Sequence, residues 1–242
     1  MDRQANSAPV ARPASPNPND LTIKWLGHTC FLFTSRGLRI LVNPFQTIGC
    51  TAGYRPPRVQ SDLVMVSSRL LDEGFLDMLP GTPRLLVDPG AYQFQGLPIQ
   101  GISTAHDRIG GRRFGINVAW RWTQAGIAIL HLGGIAAPIT SEQRILMGRP
   151  DVLFLPVGGG PKAYSPSEAL QAVNVLNPKL VIPTHFRTRA ANAAACDIVP
   201  IEEFLALMQG VRIRRAATDQ ITLRAANLPS QGMEIQLLTY TF

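Results

Sequence analysis

The sequence contains few of the residues and segments that define several protein classes. Only three of its 242 residues are cysteine, an odd number that does not make a disulfide framework. We therefore expect Cys30, Cys50 and Cys196 to be small buried side chains, although one pair could form a bridge that the sequence does not identify. No apolar run reaches the roughly 18 residues needed to cross a bilayer, so no membrane span is expected.

Lysine is also scarce. Three of the 23 basic residues are lysine and the other 20 are arginine, and the formal net charge is +7. The arginines are scattered along the chain, and no RNP strand or zinc-finger spacing is present, so we predict no nucleic-acid partner. The arginine bias instead favours binding of a carboxylate or phosphate, which a planar guanidinium pairs with well.

What is present indicates a globular protein, with 45% hydrophobic and 16% charged residues. Residues 1–20 are rich in Ala, Pro, Ser and Asn and are predicted to be a flexible tail, followed by a folded domain over residues 21–242. The tail lacks the apolar segment of a signal peptide. A cytoplasmic location is the default expectation, and an exported protein whose signal peptide is absent from this sequence is the alternative.

The pattern of strands and helices predicts an α/β sandwich. The first half is rich in strands with short turns, and the second half alternates strands and helices, which fits two mixed sheets with helices outside. Ser165 and Glu168 form a capping box with Pro166 at the first helical position, so a helix should run to about Leu176. Further helices are predicted over Ser141–Met147 and Ile201–Met208.

All four histidines follow predicted strands. They are His28, His106, His131 and His185. Because strand ends and the loops beyond them gather at one side of a sheet-based fold, the four imidazoles are expected to share one polar site. Imidazole is a common metal ligand and a proton donor or acceptor near neutral pH.

Several motifs around these histidines resemble the branch of the metallo-β-lactamase superfamily that includes the ascorbate-phosphate lactonases. They are Trp25–Phe33, Ile40–Phe45, Ala105–Asp107, Gly110–Asn117, His131–Gly134, Pro156–Gly160 and Ile182–Phe186. The resemblance implies a four-layer αβ/βα sandwich and metal-dependent hydrolysis. In that family two divalent metals, often zinc or manganese, generate a hydroxide that attacks a carbonyl or phosphoryl group.

The ligand motif of the family is altered in this chain. The family's His-x-His-x-Asp-His sequence, its bridging Asp and a supporting Asp fall on Ser68, Leu70, Asp72, Glu73, Gly134 and Asn43. The resemblance implies that the first metal position keeps only His106. The second position would keep Asp72, Glu73 and His185, which could hold one zinc, manganese or iron ion. His131 or His28 could add a nitrogen if it faces inward.

Within this scheme His106 and His131 are the candidate catalytic residues. The candidates for substrate binding are Arg112, Arg113, Asn117 and His28. Arg108, Arg187 and Arg189 are expected to join the rim of the same cleft, and the Gly158–Gly160 loop leads to a helix N-terminus at Ser165 that could bind an anion. Together these features favour a small anionic ligand.

The predicted function is hydrolysis of an anionic lactone or phosphoester with at most one metal. The alternative is a catalytically inactive scaffold, or a ligand-binding or regulatory module that uses the same cleft. In that case Asp72 and Glu73 would simply begin a helix running to Leu79, where acidic groups suit the positive end of the helix dipole. His28 and His131 would then hydrogen-bond to the backbone and hold loops together.

Overall fold

The computed structural model describes residues 17–192 and 194–242. The predicted flexible tail therefore lies outside the described residues, except for residues 17–20. The described strands are β1 (Leu21–Gly27), β2 (Cys30–Ser35), β3 (Leu38–Val42), β4 (Leu63–Met65), β5 (Arg84–Leu86), β6 (Gly90–Phe94), β7 (Leu97–Ala105), β8 (Ile116–Gln124), β9 (Ile127–His131), β10 (Val152–Pro156), β11 (Leu180–Thr184), β12 (Arg212–Arg215), β13 (Gln220–Leu223) and β14 (Glu234–Leu237). The α-helices are α1 (Ser141–Met147), α2 (Pro166–Leu176) and α3 (Ile201–Leu207).

The strands form two mixed sheets. The six-stranded sheet has the order β13-β1-β2-β3-β4-β5, and the eight-stranded sheet has the order β12-β14-β11-β10-β9-β8-β7-β6. In the first sheet β1, β2 and β3 pair antiparallel, whereas β3, β4 and β5 pair parallel. In the second sheet β9, β10 and β11 pair parallel, so the ends of β9 and β11 lie on the same side.

The hydrophobic residues fill two cores. Side chains of both sheets pack between them, with Phe31 and Phe33 against Phe154 of β10 at centroid distances of 4.8 and 5.0 Å. On the other face of the eight-stranded sheet, Leu153 and Leu155 pack against the helices. Alternation along β10 therefore sends its side chains into both cores, which explains why all five of its residues are buried.

The fold class predicted from the sequence is confirmed, with one difference in its layers. The buried residues of all three α-helices belong to the core on the outer face of the eight-stranded sheet. Within residues 17–192 and 194–242, no α-helix covers the six-stranded sheet. The longest α-helix has 11 residues, and none of the helices described could cross a membrane.

The three predicted helices are confirmed, including the capping box between Ser165 and Glu168. The proposed helix from Asp72 to Leu79 was wrong. This segment is a turn in which the amides of Glu73 and Gly74 both donate to the Leu70 carbonyl, followed by irregular chain. Strands β6, β12, β13 and β14 were not predicted, because they are short and lie at or near the sheet edges.

The expectation of three unbridged cysteines was also wrong. Cys50 and Cys196 form a disulfide, whereas Cys30 is free and buried in β2. The same two loops are joined by backbone hydrogen bonds from Asn192 to Gly49 and from Gly53 to Ala190. A disulfide that closes so long a loop contributes about 2–5 kcal/mol in small domains.

Candidate metal centre

Three side chains from three separate loops meet where the two sheets open. His28 follows β1, Asp72 lies in the turn after β4, and His185 follows β11. Each offers a ligand atom, and these atoms all lie within 4.8 Å of one another. The rings of His28 and His185 are 4.4 Å apart, so this donor cluster bridges the six-stranded and eight-stranded sheets.

The turn between β1 and β2 sets the position of His28. His28 has a φ of 50°, and Gly27 before it has a φ of 115°, a conformation that favours glycine. A side chain at Gly27 would also place its Cβ 2.6 Å from the Tyr54 ring. The His28 carbonyl accepts a hydrogen bond from the Trp25 indole at 3.1 Å, which fixes the turn and directs the imidazole inward.

The turn that carries Asp72 is held against the end of β3. The amide of Gln46 donates to the Leu71 carbonyl at 2.7 Å, and the amide of Phe75 donates to the Pro44 carbonyl at 2.9 Å. The Asp72 carboxylate forms an ion pair with the ammonium group of Lys162, which lies just beyond β10. The carboxylate of the donor cluster therefore has a cationic partner within the chain.

The donor cluster is in the protonation state that metal ligation requires. Burial lowers the pKa of His28 to about 4 and holds that of His185 well below its usual value, so both imidazoles are neutral near pH 7. Burial would raise the pKa of Asp72, but the charge and the hydrogen bond of Lys162 act against it, and that pKa is lowered to about 2. Among the described residues, the buried Nε2 of His28 and Nδ1 of His185 have no hydrogen-bond partner.

A second pair of side chains lies beside the donor cluster. Nε2 of His106, which follows β7, is 3.5 Å from a carboxylate oxygen of Glu73, and both side chains are almost completely buried. Burial, with the charge of Asp72 adding to it, raises the pKa of Glu73 to about 8. Burial, with the charge of Lys162 adding to it, lowers the pKa of His106 to about 4. Burial therefore favours the uncharged form of both members of the pair.

Gly134 makes room for this pair. A Cβ at Gly134 would lie 2.3 Å from His106 Nε2 and 2.9–3.0 Å from the two carboxylate oxygens of Glu73. The position onto which the family's bridging Asp maps therefore has no space for a side chain. Glu73, predicted to bind metal beside Asp72, instead faces His106, and His28 stands third in the donor cluster.

Two other predicted site residues are fully engaged within the protein. The ring of His131 is stacked on Phe154, its Nε2 lies 3.0 Å from the Thr29 carbonyl, and its Nδ1 accepts from the Gly133 amide at 3.1 Å. The Asn117 amide donates to Thr104 and to the Leu132 carbonyl and accepts from Gly134. We infer that both side chains hold the loop after β9 in place.

The arginines predicted to form a rim do not converge. Arg108 forms two hydrogen bonds with Glu168 at the start of α2, so the capped helix end already holds a carboxylate and a guanidinium. Arg112 is exposed and donates to the Ile109 carbonyl, and Arg189 lies over the Phe242 ring. Arg113, stacked over Phe114, is the predicted arginine that lines the cleft.

The donor cluster lies at the base of a cleft of about 630 Å³. Besides His28, Asp72 and His185, the cleft is lined by Lys162, Arg113, Phe114, Leu70 and the Cys50–Cys196 disulfide. The lining therefore contains two cations, Lys162 and Arg113, and two carboxylates, Asp72 and Asp197, around a space large enough for a small molecule.

Asp107, to which the sequence analysis assigned no role, and Asn43, which it matched to the family's supporting Asp, both position the site. All four hydrogen bonds to the Asp107 carboxylate come from backbone amides of Ile109, Gly111, Arg113 and Phe114, which shapes the loop that carries Arg113. Asn43, with a φ of 52°, accepts from the Ser67 amide at 2.8 Å and donates to Thr29 at 3.4 Å. An acidic or amide residue directly after a buried strand was the available signal.

Comparison with known proteins agrees with this fold. A β-lactamase superfamily domain matches residues 22–185, and the chain belongs to that family. A UPF0173 metal-dependent hydrolase of Thermoplasma acidophilum is 25% identical over 191 residues, covering 70% of this chain and 84% of the relative. One of Carboxydothermus hydrogenoformans is 27% identical over 205 residues, covering 72% and 88%.

A solved structure gives the same result. A Thermotoga maritima protein described as a Zn-dependent hydrolase of the metallo-β-lactamase superfamily superposes with a TM-score of 0.71 and 27% identity. The match covers 91% of this chain and 100% of that protein. Two imidazoles and a carboxylate suit zinc, manganese or iron, so the donor cluster fits the kind of group that such relatives use.

Proposed function

We propose that this protein is a metal-dependent hydrolase with one divalent metal, held by His28, Asp72 and His185. The observation that carries this proposal is the donor cluster itself, with ligand atoms within 4.8 Å and two buried imidazole nitrogens without a partner among the described residues. Burying such groups without a partner is costly, which favours a ligand between them. The relatives named as metal-dependent hydrolases support the same assignment.

The chain's own residues would orient and polarise the substrate. A divalent ion at the donor cluster would supply Lewis-acid chemistry and lower the pKa of water at the site. His106 remains the candidate for proton transfer, because its buried Nδ1 has no partner among the described residues. Glu73 would hold the orientation of the His106 ring through its Nε2. In this proposal His131 and Asn117 support the site and do not contact substrate.

We propose a small anionic substrate, a lactone or a phosphoester. Lys162 and Arg113 line the cleft and would bind its negative group, because ammonium and guanidinium groups pair with carboxylate and phosphate. The cleft volume of about 630 Å³ lies within the range typical of small-molecule sites. Phe114 and Leu70 would contact the apolar part of such a substrate.

A second candidate is a ligand-binding module without catalysis. The ion pair between Lys162 and Asp72 favours it, because this pair neutralises the carboxylate that a metal would need. Such a module would use Arg113 and Lys162 to bind an anion in the same cleft.

Metal content is the first test of the hydrolase. Reconstituted protein should retain about one equivalent of zinc or manganese by elemental mass spectrometry, and Asp72→Ala or His185→Ala should lose it. Asp88→Ala is the matched control, since Asp88 is an exposed carboxylate paired with Arg69 on the surface. If the wild-type protein retains metal, it should also hydrolyse a member of a lactone or phosphoester panel, and a chelator should abolish this turnover. If the wild-type protein binds no metal, the hydrolase proposal fails and the ligand-binding module remains.

The disulfide leads us to propose an oxidising compartment for the native protein. Disulfides persist in such compartments and are rare where thiols are kept reduced. Alkylation of thiols in native cells, followed by mass spectrometry, should label Cys30 after denaturation and leave Cys50 and Cys196 unlabelled. Labelling of all three cysteines would contradict the proposal.

A further inference from the structure

Lys162 occupies an unusual position for a lysine. Its ammonium group pairs with Asp72 at the base of the cleft, and the side chains are only 23% and 21% exposed. The charge of Lys162 also acts on the pKa values of His28, His106 and His185. The charge of Lys162 therefore acts on all three members of the donor cluster, His28, Asp72 and His185.

The ion pair has a clear physical consequence. A partly buried carboxylate without a cation is costly, so Lys162 stabilises Asp72 when nothing else does. A divalent ion bound to the same carboxylate would replace that cation. The Lys162 ammonium would then oppose metal binding in two ways, since it shares the Asp72 oxygens and it repels a second positive charge.

We propose that Lys162 is an internal competitor for the metal, which holds Asp72 in the metal-free protein and must leave it before the ion can bind. This inference rests on the proposed metal centre. It makes metal affinity a property of the Lys162 contact as well as of the three donors. It also releases an ammonium group into the cleft that Arg113 lines, for the anionic group of a substrate.

Affinity for Zn²⁺ and Mn²⁺, measured by competition with a chromogenic chelator, tests the inference without any activity assay. Lys162→Met should bind zinc about tenfold or more tightly than the wild type, because it removes a positive charge that repels the ion and competes for the Asp72 oxygens. Lys162→Arg keeps the charge and should not gain affinity. Lys179→Met is the matched control, since Lys179 pairs with Asp151 at 2.8 Å outside the site.

The possible outcomes separate this inference from the proposed function. Equal zinc affinity in wild type and Lys162→Met would overturn the inference and leave the metal centre standing. Binding by Lys162→Met alone would support the inference and show that the native chain is held in the metal-free state. No binding by either protein would overturn both. Lys162→Gln, with thermal unfolding of each variant, gives a second measurement if Lys162→Met does not fold.

Discussion

The two halves of the site arrange their titratable side chains differently. In one half His28, Asp72 and His185 remain open toward a shared point, with ligand atoms within 4.8 Å. In the other half Glu73 and His106 face each other at 3.5 Å, and Gly134 leaves the space they fill. Among the described residues, donors for a metal therefore converge in one half, whereas in the other a carboxyl group and an imidazole face each other.

Electrostatics differs between the two halves. Burial raises the pKa of Glu73 and lowers that of His106, so it favours the uncharged form of both groups. The open half keeps a charged carboxylate, and Lys162 supplies the counter-ion. Burial thus favours an uncharged pair in one half, whereas an ion pair offsets the buried charge in the other.

The largest expected effect is a contrast in metal affinity between the two halves. His28→Ala should weaken zinc binding by about 100-fold or more, about 2.7 kcal/mol, because it removes a donor. His106→Ala should change it by less than about threefold, since His106 faces Glu73. Chelator competition measures both, with circular dichroism as the check on folding. An equal loss of zinc affinity in His28→Ala and His106→Ala would mean that the ion binds between the two halves of the site.

A smaller effect is expected when the family's bridging residue is restored. Gly134→Asp should lower the free energy of unfolding by about 2 kcal/mol, because its Cβ would overlap His106 Nε2 and crowd the Glu73 carboxylate. Denaturant unfolding measures this, and metal content should not rise to two ions per chain.

The double variant His106→Ala/Gly134→Asp gives the control. Removing the imidazole creates the missing space, so the cost of Asp at position 134 should shrink in this background. A cost that stays the same would mean that the overlap with His106 is not its cause.

Much of the fold could be predicted because its signals are local. The Ser165–Glu168 capping box, the strand alternation in β1 and the buried run of β10 each depend on neighbouring residues. The strands after Gly210 could not be predicted in this way. β12 and β13 are exposed and short, and they are strands because β14 and β1 offer partners from distant parts of the chain.

The sequence predicted several residues of the candidate site, but it did not predict which side chains contact each other. Histidines at strand ends indicated one shared site, and His28, His106 and His185 do gather there. The turn at Leu70–Glu73 decides which carboxylate lies next to which imidazole. Contacts with residues distant in the sequence hold this turn in place. The Lys162–Asp72 contact joins residues 90 positions apart, and no local pattern indicates it.

The smallest expected effect concerns His131, whose ring nitrogens contact Thr29 in the turn after β1 and Gly133 in the loop after β9. Burial lowers its pKa in the folded protein to about 3, against 6.5 for a free imidazole. Between these values the unfolded chain binds a proton that the folded chain does not. Stability from this group is therefore complete above pH 6.5 and is lost as the pH falls toward 3.

Unfolding free energies at pH 7 and pH 5 test this support role. The loss on acidification should be smaller by about 1–2 kcal/mol in His131→Phe than in the wild type. The phenyl ring keeps the stacking on Phe154 but does not titrate. The variant should be less stable than the wild type at pH 7, because the hydrogen bonds to Thr29 and Gly133 are lost. An unchanged pH dependence would show that His131 is protonated within the fold, and proton transfer by this residue would again be open.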